Sequence, residues 1–210
     1  MFDLAVLAVF LTASVALILS PGPDSVYVLT RSIASGQVTG LAAALGTSTG
    51  ILIHTTAAVL GLSILLRTSA LAFAVVRYAG AIYLIYLGVQ TIRRREAFNL
   101  DTEKTEYTTA RTFTGGLTVN VLNPQVALFF LAFLPQFVGP GASASIQMGL
   151  LGALYSLLTI TYLGTIAVLS TGVRHLIERR PAIADVIRWA TGTILVDFGL
   201  QLLLSDRTPA

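Results

Sequence analysis

Two short polar runs interrupt apolar stretches of this chain, and both contain groups that could bind a small charged guest. Leu19-Ser20-Pro21-Gly22-Pro23-Asp24-Ser25 puts a carboxylate directly behind two prolines and a glycine. Asn120-Val121-Leu122-Asn123-Pro124-Gln125 puts two amides about one helical turn apart, just ahead of another proline. Proline removes a backbone donor and clashes with the preceding turn, so a helix through either run must break or kink. Ser20 could cap a restarted helix with Pro21 or Pro23 in its first turn, its N–H groups facing a carboxylate and Asp24 close by. Asn120, Asn123 and Gln125 offer donors and acceptors to an ammonium, a carboxylate or a freed carbonyl. The candidate binding residues are therefore Ser20, Pro21, Gly22, Pro23, Asp24, Asn120, Asn123, Pro124 and Gln125. The alternatives are plainer: the first helix ends at Ser20 with Asp24 as an interfacial cap, and Asn123-Pro124 is a structural kink.

Three groups are candidates for carrying a coupling proton: Asp24, His54 and Asp197. His54 lies in a stripe of small residues, Ala42, Gly46, Gly50 and Ala58, at intervals of four, so it faces protein rather than lipid. It either relays protons or is a hydrogen-bonded structural histidine. Asp197 interrupts an apolar run and shares a helix face with Thr193 and Gln201. It carries a proton, pairs with a base or marks a peripheral helix. Tyr83, Tyr86 and Gln90 share another face, and with Gln201 they are candidate cavity walls, unless the tyrosines are interfacial anchors. Arg77 reads as snorkelling to the interface. No catalytic residue, metal ligand set or cofactor is expected, because the chain lacks cysteine, Gly-x-Ser-x-Gly, His-Glu-x-x-His, Gly-x-Gly-x-x-Gly and a Walker A loop.

The elements that must position these groups are set by the solvent. Of 210 residues, 55% are apolar and 11% charged, with mean hydropathy +0.81, against about 25% charged in a soluble domain. A soluble enzyme and a nucleic-acid binder are both excluded, and the lipid bilayer is the expected partner. Six windows have the length and apolarity of spans: 4–30, 40–66, 72–92, 113–138, 146–172 and 189–204. The first has no preceding Lys or Arg and no cleavage site before its prolines, so it is expected to stay in the mature protein. Lys and Arg divide ten to three between the two sets of loops: Arg31, Arg93, Arg94, Arg95, Lys104, Arg111, Arg174, Arg179, Arg180 and Arg188 against Arg67, Arg77 and Arg207. That asymmetry puts both termini outside the cytoplasm. The polar stretch 93–112 becomes a cytoplasmic linker, and no segment is long enough for a second domain.

The halves resemble each other. Arg77-Tyr78-Ala79, Leu84, Gly88 and Gln90 lie over Arg188-Trp189-Ala190, Leu195, Gly199 and Gln201 at an offset of 111, and Leu19-Ser20-Pro21 lies over Leu122-Asn123-Pro124 at 103. First span matches fourth and third matches sixth, as a duplication requires. Three spans per half is odd, so the halves enter the membrane with opposite polarity. The expected fold is an all-α membrane protein of six transmembrane helices. They form two inverted three-helix repeats, 4–92 and 113–204, within a single transporter domain covering 1–210, with proline breaks in helices 1 and 4.

In these residues the chain resembles the lysine-exporter superfamily, in its homoserine/threonine-efflux (RhtB-type) branch. The similar stretches are Ser20-Pro21-Gly22-Pro23-Asp24, Gly46 through His54, Ala79 through Gly88, Asn120-Val121-Leu122-Asn123-Pro124 and Leu134-Pro135-Gln136-Phe137. The resemblance implies a multi-pass protein of the prokaryotic inner membrane. It implies export of small amino acids or close derivatives from the cytoplasm, coupled to protons, with a homo-oligomer left open. Two other readings stay open. One is a membrane-embedded enzyme acting on a lipid or isoprenoid, for which Asp101, Glu103 and Glu106 are the available carboxylates; the other is a channel-like membrane protein.

Overall fold

The computed structural model describes residues 3–20, 22–68, 70–93, 108–138, 143–172, 179 and 181–204. Every element among them is helical. Helix α1 (Leu4–Leu19) begins where Asp3 accepts the Ala5 N–H at 3.0 Å, and it stops at Ser20. Helix α2 (Pro23–Ser35) restarts at an angle of 51°, with Pro23 in its first turn and Gly22 extended before it. Pro23 thus acts as expected, opening a new hydrogen-bond ladder after the first has ended at Ser20. Gly36, at φ 90°, closes α2 in a conformation that side chains resist, and the chain turns directly into α3 (Gln37–Thr68). Helix α4 (Ala70–Arg93) follows.

The second half runs in the same order. Helix α5 (Thr109–Val121) is capped by Thr108, whose hydroxyl accepts the Arg111 N–H. The expected linker 93–112 is therefore shorter at its end than its polar composition indicates, and residues 94–107 lie outside the described residues. After Leu122 and Asn123 the chain restarts as α6 (Pro124–Leu128), widens into a π-helical turn (Phe129–Phe133) and tightens into a 3₁₀ turn (Leu134–Phe137). This second broken rod bends by 50°. Helices α7 (Ala144–Val168) and α8 (Pro181–Leu204) follow.

Two helices are long and apolar enough to cross a bilayer alone, over Gln37–Gly61 and Ala144–Val168, and each bent pair is so when taken as one span. Helices α4 and α8 have 24 residues each, about 36 Å of rise at 1.5 Å per residue. The apolar window 189–204 understates α8, because Asp185 and Arg188 end the hydropathy signal without ending the helix.

Helix α3 runs between α5 and α7, while α4 packs along α8. Close approach of α3 and α5 depends on glycine: a Cβ on Gly46 would meet the Phe113 carbonyl, and one on Gly116 the Ala43 carbonyl. An aromatic core fills the centre, where Phe129 touches Phe133 and Tyr155 at 5.1 Å and Phe10 meets Phe137 edge-on at 5.3 Å. A second core of Val28, Leu29, Ala43, Ala44, Leu163 and Ala167 seats α2 on α3 and α7. These two cores hold the broken ends of α1–α2 and α5–α6 against each other.

Candidate functional site

The site is built where the two breaks meet. Asp24, in the first turn of α2, accepts the Asn120 amide at 3.0 Å and the Asn123 amide at 3.3 Å, both on Oδ2. Asn120 is wholly buried in the last turn of α5, and Asn123 caps α6, its Oδ1 accepting the Gln125 N–H at 3.0 Å. One carboxylate therefore joins groups 96 and 99 residues away in sequence. The other carboxylate oxygen, Oδ1, is buried with no hydrogen-bond partner among the described residues. A buried charge costs heavily unless it is paired, so an open oxygen of this kind is where a guest's donor could bind.

These groups line a small, partly open cavity together with Ser20, Gly22, Ser25 and Gln125. One apolar wall comes from Leu17 and Ile18 of α1 and Ile51 of α3; Val126 of α6 and Tyr155, Thr159 and Leu163 of α7 complete the lining. Thr159 is buried, and its hydroxyl is a further polar atom without a partner among the described residues.

Asn120 is held from behind as well. Its carbonyl lies 3.1 Å from His54 Nε2, and since a carbonyl only accepts, that nitrogen carries the hydrogen. The His54 ring stacks on Phe130 at 6.2 Å. Gly50, one turn before His54, leaves room for Asn120: a Cβ there would sit 2.6 Å from its Oδ1.

The structure brings Ser20, Gly22, Asp24, Asn120, Asn123 and Gln125 to one cavity. Pro23 and Pro124 stand exposed in the first turns of their helices, shaping the breaks without lining the cavity, and Pro21 lies outside the described residues. His54 is behind the cavity rather than in its wall. The expected wall residues differ most. Tyr83 packs partly on the aromatic core, Tyr86 is 55% exposed and accepts from Gln90 at 3.0 Å, and Gln201 donates to Asp197 at 2.7 Å on the outside of α8. The reason is packing: Gly88, Gly192 and Gly199 turn the small-residue faces of α4 and α8 toward each other, so Tyr86, Gln90, Asp197 and Gln201 point away from the breaks, while Thr91 of α4 meets the Ser20 hydroxyl at 3.4 Å. The side chain of Arg77 lies outside the described residues.

Sequence reasoning missed Ser25, Ile51, Tyr155, Thr159 and Leu163. Tyr155 and Thr159, polar and four apart within the apolar α7, are a signal that could have marked the inner face of that helix. Among the described residues no three His, Asp or Glu side chains converge as a metal site would require.

A carboxylate held at the junction of two broken helices, beside a small cavity, has the form of a transporter's binding site, and the family and relatives that the chain matches point to a transporter, not an enzyme. Residues 15–206 match the family model described as LysE type translocator, and the chain belongs to that family. It is 34% identical over 170 residues to a homoserine/homoserine lactone efflux protein of Salmonella typhimurium, covering 81% of this chain and 79% of that one. It is 33% identical over 198 residues to the uncharacterized membrane protein PA4757 of Pseudomonas aeruginosa, covering 90% of each. Over 211 residues it is 28% identical to the uncharacterized membrane protein YrhP of Bacillus subtilis, covering 95% of this chain and 99% of that one. No solved structure matches the chain significantly.

Proposed function

We propose that this translocator exports an amino acid or a close derivative across the inner membrane in exchange for protons. The observation that carries the reading is Asp24, held by the amides of Asn120 and Asn123 where both breaks meet, with one oxygen open beside the cavity. An ammonium and a proton compete for that oxygen: the deprotonated carboxylate attracts the ammonium, and protonation removes the attraction. Of the three candidate coupling groups Asp24 is the one at the cavity. The efflux named for the Salmonella typhimurium relative supports the substrate class.

In this reading six spans, α1–α2, α3, α4, α5 through Phe137, α7 and α8, form two inverted repeats of one domain, 4–92 and 113–204. The recurring order of a bent pair and two long helices supports it. Both termini lie outside the cytoplasm, as the Lys and Arg count indicates. A homo-oligomer forms on the outer face of α8. There Thr193, Asp197 and Gln201 are all exposed, and a carboxyl facing lipid costs about 2.5–3.5 kcal/mol. Two copies inserted alike bring this stripe to the same depth, where its donors and acceptors complement themselves across a two-fold axis.

The test uses proteoliposomes with an imposed pH gradient and labelled homoserine or its lactone. Asp24→Asn is expected to abolish gradient-driven transport while the protein still inserts. Unchanged gradient-driven transport by the variant rejects Asp24 as the coupling group.

A further inference from the structure

We infer that the site selects amino compounds whose carboxylate is masked, as an ester or lactone, over the corresponding zwitterions, and that Gln125 sets this preference. The inference rests on the export reading above and follows from the charge of the cavity. Among the described residues lining it, Asp24 is the only ionisable group other than Tyr155; none is Lys, Arg or His. The amide donors nearest the carboxylate are already used: Asn120 Nδ2 and Asn123 Nδ2 both bond Asp24 Oδ2.

The helix starts do not supply the missing cation. Asn123 Oδ1 occupies the Gln125 N–H at the start of α6. The start of α2, with Asp24 in its first turn, has no side-chain cap and offers backbone N–H donors beside that carboxylate, but no full positive charge. What remains open among the buried atoms of the described lining residues is two acceptors, Asp24 Oδ1 and Asn120 Oδ1, and the Thr159 hydroxyl. The cavity thus carries close to one uncompensated negative charge and complements a guest with one positive charge. A zwitterion brings an additional carboxylate, which must shed its water beside Asp24 with no cation to meet it. An ester or lactone replaces that carboxylate with a neutral carbonyl, for which the unpartnered hydroxyl of Thr159 is a sufficient donor.

Gln125 is the place where this balance is set. It is 8% exposed, it lines the cavity across from α2, and its Oε1 lies close to Gly22. A lysine there would bring an ammonium to the side of the cavity facing the break and give a substrate carboxylate its partner.

The experiment compares L-homoserine with L-homoserine lactone in proteoliposomes at pH 6.5, where the lactone amine is largely protonated. Liposomes containing Asp24→Asn correct for passive leak of the lactone. The expected result is lactone uptake about tenfold above homoserine uptake in the wild-type protein, with the ratio falling to one or below in Gln125→Lys. Charge movement in the wild-type protein is a second measurement that needs no variant. One ammonium exchanged for one proton at a single carboxylate moves no net charge, so lactone exchange should leave a voltage-sensitive dye unchanged. Homoserine uptake equal to or above lactone uptake, or electrogenic lactone exchange, overturns this inference while leaving the export reading standing. Transport of neither compound overturns both.

Discussion

Gly50→Ala tests whether the Asp24 junction depends on the packing of α3 against α5. The added methyl would lie 2.6 Å from Asn120 Oδ1, 2.9 Å from its Cβ and 3.0 Å from its Cγ. Carbon contacts settle near 3.5–4.0 Å, so Asn120 or a whole helix must move by about 1 Å. Asn120 has little freedom, being wholly buried with its amide on Asp24 and its carbonyl facing His54. Overpacking of this kind costs about 1–3 kcal/mol, and loss of the charge-assisted bond to Asp24 costs about 1.5–3 kcal/mol more. Alanine's better helix propensity returns at most about 1 kcal/mol, so destabilisation wins. Gly61, on the same helix, meets nothing within 4 Å when given a Cβ and is the internal control. In detergent, Gly50→Ala should lower the melting temperature by several degrees and cut the initial rate in proteoliposomes at least about tenfold. Gly61→Ala should leave both unchanged. Wild-type melting and transport in Gly50→Ala would refute the claim that Asn120 is wedged against α3 to hold Asp24.

If His54 positions Asn120 and carries no transported proton, His54→Gln should reduce the rate several-fold without changing the shape of its pH dependence; a flattened pH profile would make His54 a proton carrier. Asp197→Asn should leave the transport rate within about twofold, because Asp197 bonds Gln201 on the outer face of α8; loss of gradient-driven transport would return it to the coupling path. The chain has no cysteine, so single cysteines report contacts cleanly. Thr193→Cys or Gln201→Cys should cross-link into dimers in membranes while Leu157→Cys, 60% exposed on α7, should not; equal cross-linking at all three positions would remove α8 as the contact between copies.

The sequence alone determined the solvent, the positions of both helix breaks and the residue types gathered there. These properties are local: apolar length selects the bilayer, and proline ends a hydrogen-bond ladder wherever it occurs. Asp24, Asn120, Asn123 and Gln125 were legible because polar groups beside prolines in apolar runs stand out. What the sequence left open was which of these groups face one another. Tyr86, Gln90, Asp197 and Gln201 carry the same local signal as Asp24, yet they lie on outer faces, because glycine contacts between α4 and α8 fix the rotation of those helices. The reverse holds for Tyr155 and Thr159, which α7 turns inward against the breaks. The direction of a polar face is a property of helix pairs, decided by which small residues let two backbones approach, and only the tertiary structure could supply it.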